Sequence, residues 1–200
     1  YINPSSPYND DSLGCVVSAV DADDGFPATG VVLTNVTTGA ALGTDAAQQL
    51  DATLASPGDV IQCEVTATDS DGATATELTE ATVDNRPPGV TASITVTGTG
   101  NTAALTCTGT ATDDDDLAVP VATIEWQDTA GISLGTDATI QLDSSLGVDG
   151  TEITCVATAT DQTGATAIAT AIHTIDNTPP VVDSVMVTPE NPIADTSEFT

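Results

Sequence analysis

One offset constrains this chain more than any other feature: a shift of 92 positions carries Cys15 onto Cys107 and Cys63 onto Cys155. The same shift lays Leu42-Gly43-Thr44-Asp45-Ala46 on Leu134-Gly135-Thr136-Asp137-Ala138, and Asp84-Asn85 with Pro87-Pro88 on Asp176-Asn177 with Pro179-Pro180. Self-similarity at a fixed period marks tandem copies of one unit. The two cysteines stand 48 positions apart in each copy, so pairing within copies, Cys15 with Cys63 and Cys107 with Cys155, is the expected connectivity. Around Cys155 the residues alternate, with Ile153, Cys155, Ala157 and Ala159 on one face and mostly Thr on the other, and Val60 to Asp69 repeats the pattern around Cys63. Period-2 alternation is the signature of a half-buried strand.

The second copy reads as seven strands: 91–97, 103–110, 121–127, a short one at Leu134, 138–142, 152–160 and 165–175. Turn signals rich in Gly and Asp separate them, and no segment keeps helical periodicity for three turns. The expected domains are 1–86, which lacks its N-terminal edge because Tyr1 aligns with Ser93; 87–178, which is complete; and 179–200, the truncated start of a third. Met186 to Pro192 resembles Tyr1 to Pro7, and continuing that match makes Cys the residue expected after Thr200. The 200 residues thus read as a window on a longer array.

Charge narrows the partners. Thirty acidic residues face a single base, Arg86, for a net charge of -29. Nucleic acid and anionic membrane are excluded as electrostatic partners, since both need Lys and Arg. No apolar run approaches the 18 or so residues of a spanning helix, so no membrane insertion is expected in this segment. Aromatic residues make up only 2%, which leaves Val, Ile, Leu, Ala and Cys to build the cores. Three readings of the acidity stand open: adaptation to high salt, cation binding, or a solvated surface that resists association. Four paired cysteines imply an oxidising compartment, hence an extracellular or cell-surface location.

The order Cys107, then Trp126 in Ile124-Glu125-Trp126-Gln127, then Cys155 resembles the immunoglobulin-like fold, with Asp149 six residues before the second Cys. The resemblance implies an all-β chain of tandem immunoglobulin-like β-sandwiches, each with an intersheet disulfide. Two departures stand out. Ile153 holds the place of the family's corner tyrosine, and the 92-residue shift puts Thr34 where Trp126 stands. Adjacent Leu33 fills that space only if its strand slips by one residue, because neighbouring side chains point to opposite faces. The loop Thr66 to Ala75 also looks like the ends of Ig-like, PKD-like and cadherin-like modules strung along bacterial and archaeal surface proteins.

In such a sandwich the loops after the second and sixth strands meet the incoming linker at one pole. Asp84, Asn85, Asp113, Asp115, Asp116 and Asp161 are therefore expected to converge, with Asp21, Asp23, Asp24, Asp69 and Asp71 as the first copy's equivalents. Two readings remain, a Ca²⁺ site that stiffens the junction or solvated loop acids; no other cofactor is expected. The prolines of both linkers favour extended, restricted hinges. Asn35-Val36-Thr37 is an N-glycosylation sequon, and outward Thr residues offer O-glycan acceptors. The only His, His173, has no nucleophile partner, and the paired carboxylates lie in loops without aromatic platforms, so no enzyme is expected. The expected function is a structural repeat segment of a surface protein or filament, its partners neighbouring copies in a fibre or surface layer. A ligand-binding adhesin and a non-catalytic spacer in a secreted hydrolase are the alternatives.

Overall fold

The computed structural model describes residues 1–23 and 25–186. Asp24 and the part of the expected third domain at 187–200 lie outside the described residues. Alternation governs what folds. The first half contains β1 (Ile2–Asn3), β2 (Ser12–Cys15), β3 (Ala28–Asn35), β4 (Ala40–Gly43), β5 (Ala47–Gln49), β6 (Val60–Thr68) and β7 (Thr74–Thr82). The second contains β8 (Gly89–Thr97), β9 (Ala104–Thr112), β10 (Thr123–Gln127), β11 (Ser133–Gly135), β12 (Thr139–Gln141), β13 (Glu152–Thr160) and β14 (Thr166–Thr174). Among the described residues the only helical turn is a short 3₁₀ segment at Gly100–Thr102.

Each half is a two-layer antiparallel sandwich. The sheets of the first run β1-β2-β5 and β4-β3-β6-β7, and those of the second run β12-β9-β8 and β11-β10-β13-β14. The Cys15–Cys63 and Cys107–Cys155 disulfides each join the second strand of one sheet to the sixth strand of the other. Closing a loop of 48 residues removes enough freedom from the unfolded chain to stabilise each half by about 4 kcal/mol in the chain-entropy account. That is large for cores with so little aromatic surface. The first core gathers Ile2, Leu13, Leu33, Leu50, Ile61 and Val83 around its disulfide; the second gathers Leu105, Trp126, Leu142, Ile153 and Ile175.

The structure resolves the missing tryptophan by a slip. Trp126 lies opposite Cys155 in the β10–β13 ladder, fully buried, its indole Nε1–H donating to the Asp137 carbonyl at 2.9 Å. In the β3–β6 ladder the residue opposite Cys63 is Leu33 rather than Thr34. Both strands then break register against the next strand, after Leu33 in one and after Trp126 in the other. Gly43 faces Leu33 as Gly135 faces Trp126, so the 92-residue offset is restored by the end of the hairpin. One residue fewer before β3 is compensated by one more between β3 and β4.

This assignment has a direct test. Leu33→Ala removes a fully buried side chain beside the disulfide and should cost about 2–5 kcal/mol in urea unfolding. Thr34→Ala, at the position a rigid 92-residue shift would equate with Trp126, should cost less than about 1 kcal/mol.

Candidate functional site: the junction between the two halves

The loop after β9 holds Asp113 to Asp116, and its shape follows from the chemistry of aspartate. The Asp113 carboxylate accepts the backbone N–H of Asp115 at 2.8 Å and of Asp116 at 3.1 Å. Side chains of this type fold the chain back on themselves in this way. The turn drives Asp115 inward, where its side chain has no exposure to water. A carboxylate so placed is tolerable only with counter-charge and hydrogen bonds.

Arg86, in the linker between β7 and β8, supplies both. Its backbone N–H donates to Asp115 Oδ2, its Nε to Asp115 Oδ1 at 2.9 Å, and its Nη2 lies 2.8 Å from the same oxygen. Nη2 also donates to Asp10 of the first half, and the guanidinium carbon lies 4.5 Å from the centre of the Tyr8 ring. From the first half, the Asn9 side-chain amide donates to the Asp115 carbonyl. Hydrogen bonds to Asp10 and Asp115 hold the Arg86 guanidinium above the ordinary arginine range. The only base in the chain therefore ties the ends of the two halves to each other and to the linker.

A second tie runs through Asp161, at the end of β13. Its Oδ1 accepts from Thr163 Oγ1 and from the Ala165 N–H, each at 2.8 Å, and its Oδ2 accepts from the Asn85 amide at 2.9 Å. Burial works to raise this carboxyl, but the hydrogen bonds from Asn85, Thr163 and Ala165 outweigh it and hold it below its ordinary value of 3.8. Asp116 accepts the Gln162 N–H at 2.9 Å and so binds the two loops together. A cleft of about 240 Å³ remains between Ser56 and Pro57 of the first half and Asp115, Asp116 and Gln162 of the second.

The structure thus brings together Asn85, Asp113, Asp115, Asp116 and Asp161. Asp84 stays exposed, contributing its backbone N–H to the Pro7 carbonyl. At the first half's own pole, Asp21 accepts the Asp23 N–H and Asp69 accepts the Ala73 N–H, each at 2.8 Å, repeating the turns made by Asp113 and Asp161. Asp71 is exposed on the loop between β6 and β7.

As for a metal, the carboxylates of Asp115, Asp116 and Asp161 are already taken by protein donors. Among the described residues no three His, Cys, Asp or Glu side chains form a group suited to a metal ion. Three buried oxygens there lack a hydrogen-bond partner, Asn9 Oδ1, Asn85 Oδ1 and Asp113 Oδ2. Ca²⁺ takes six to eight oxygens, so a metal at this place would need water for much of its shell.

Asn35 is completely buried, its Nδ2 donating to the Leu54 carbonyl and to Asp59, and its Oδ1 accepting from the Thr37 and Thr38 N–H groups. The side-chain nitrogen of the sequon thus ties the loops around β3 together. His173 lies half-buried on β14 opposite Ile153.

Sequence reasoning missed Tyr8, Asn9 and Asp10, and gave Arg86 no role. A signal was present: under the 92-residue shift Asp10 becomes Thr102 and Arg86 becomes Thr178, so acid and base are replaced together. No family model matches the chain, and no curated protein matches it. Among solved structures it is similar to the crystal structure of a tetra-tandem repeat in the extending region of a large adhesion protein, with 21% identity and a TM-score of 0.37. That likeness covers 88% of this chain and 48% of the other, about half of that structure's length.

Arg86→Gln should leave Asp115 buried without its counter-charge and cost about 1–3 kcal/mol, with faster protease cleavage in the linker. The Asp161 tie should respond to acid. A carboxyl held low in the fold contributes stability that is complete above its ordinary value of 3.8 and is lost as the pH falls through its lower, folded value. Linker cleavage should therefore stay slow at neutral pH and accelerate only below about pH 3.8. An acid-stable protease monitors both.

Proposed function

We propose that the chain is a structural repeat segment of an extracellular surface protein or filament, giving length, stiffness and assembly contacts. The observation that carries this reading is the junction. Two sandwiches joined only by a flexible tether need no buried ion pair between them, whereas here Arg86 binds Asp10 on one side and Asp115 on the other. Such contacts restrict hinging, which suits a module whose work is to hold distance. The pairing of all four cysteines supports an oxidising, extracellular setting. An immunoglobulin-like topology is supported by the three-plus-four strand order, by cysteines on the second and sixth strands, and by the tryptophan on the third.

Immunogold labelling of intact cells that make the protein tests the reading. Gold should lie outside the envelope and at a spread of distances from it; label confined to the cytoplasm would refute it.

A metal-stiffened junction is a second reading of the same site, favoured by the three unpartnered buried oxygens. In that case CaCl₂ raises the melting temperature and EDTA lowers it. Equal melting in both leaves Arg86 as the cation on which the junction relies.

A further inference from the structure

The outer face of the second half's larger sheet differs from its counterpart in the first. Burial alternates along β13 and β14, so Thr154, Val156 and Thr158 point outward from the one and Ile168, Thr170 and Ile172 from the other. The ladder sets Thr158 opposite Ile168, Val156 opposite Thr170 and Thr154 opposite Ile172. Opposed side chains touch and diagonal ones are about 7–8 Å apart, so Val156 and the two isoleucines form one apolar cluster among threonines. Ile168 is 65% exposed and Ile172 59%. No acid interrupts this patch. At the same places in the first half, 92 positions earlier, Glu64 stands for Val156 and Glu80 for Ile172, both exposed.

That exchange bears on what covers the face. A basic partner is held by carboxylates, and here the carboxylates are gone. A second copy of so acidic a chain has the opposite requirement, because like charges brought face to face are costly. The order of the side chains points the same way. Along β14 the outward residues are Thr166, Ile168, Thr170, Ile172 and Thr174, the same in either direction, and Thr154, Val156 and Thr158 repeat that symmetry on β13 about the Val156–Thr170 pair. A two-fold contact needs a patch of this kind, in which residue i meets j while j meets i.

The geometry points to a dimer in which two copies pack face to face through β13 and β14, the two-fold axis crossing the strands at the Val156–Thr170 pair. Ile168 of each copy then lies over Ile172 of the other, and Thr170 lies over Thr170. The two sheets stack with their strands antiparallel and within about 30° of alignment. Glu125, beside Val156 on β10, stands at the rim with its carboxylate accepting from the Gln127 amide, and Glu152 lies at the far end of β13 opposite Thr174. Copies carrying a net charge of -29 repel one another, so the dimer should tighten with salt. Two strands' width of side chains makes a small contact, below about 1,200 Å² in total, which is weak between single chains and adds up where many copies lie side by side. This deepens the structural-repeat reading by naming its side-to-side contact. Dimerisation in solution is measured without regard to where the protein is displayed, so either can fail alone.

Sedimentation velocity of the 200-residue chain at rising concentration, in low and high salt, tests the proposal. The wild type should show a monomer–dimer equilibrium, tighter in salt, with nothing larger, since a two-fold contact closes at two. Val156→Glu with Ile172→Glu restores the first half's acids and should weaken the dimer by at least about tenfold. Ile172→Glu alone alters a side chain 59% exposed, should weaken it by at least about threefold, and decides the matter if the double variant fails to fold. Under mild oxidation Thr170→Cys should give a disulfide-linked dimer, whereas Leu78→Cys, at the matching place in the first half, should stay monomeric. A wild-type chain that is monomeric throughout, or that grows beyond dimers, overturns the proposal. So do an Ile172→Glu dimer as tight as the wild type's and equal cross-linking at positions 170 and 78, since another surface would then be responsible.

Discussion

The Asp115 side chain is held entirely out of water, and an ionised carboxylate in that position demands compensation. In a chain with thirty acids and one base, only one side chain can provide a full positive charge, and it belongs to the linker. The guanidinium satisfies Asp115 through two nitrogens while reaching Asp10 with one of them, which lysine's single point of charge would not do as well. The contacts between the two halves centre on this arrangement. The Asn9 and Asn85 contacts close around it, and the proline pair after Arg86 limits how far the linker can bend.

The surrounding turns explain why so acidic a loop can pack at all. Asp113 spends one oxygen capping the backbone of Asp115 and Asp116, and Asp161 does the same for Ala165, so nearby N–H groups rather than further bases partner these carboxylates. Among the described residues the remaining carboxylates are mostly exposed. This division lets a chain of net charge -29 retain ordered loops at its poles without balancing each acid against a base.

Strands with strong alternation were legible in the sequence nearly to the residue. β13 spans the very residues expected, Glu152 to Thr160, because its inward face is unbroken Ile, Cys, Ala and Ala. β12 is shorter than the expected 138–142, and β8 begins two residues before the expected 91, where boundaries depend on what the neighbouring strand offers. The slip of β3 was visible only as an alternative, because a rigid offset cannot reveal two compensating changes in loop length. At the junction, the acidic loops and Asn85 could be placed from topology. Asn9 and Asp10 could not, since they come from an irregular stretch whose approach to the second half depends on tertiary packing. The burial of Asn35 was not legible, because a three-residue sequon says nothing about burial.

The central claim is that the Arg86 contacts make the two sandwiches one body rather than two beads on a tether. Residual dipolar couplings measured separately for the two halves in a single aligned NMR sample test this most directly. The account predicts one common alignment tensor for residues 2–83 and 89–175. Two tensors of different magnitude in the wild-type chain would show independent reorientation and contradict it.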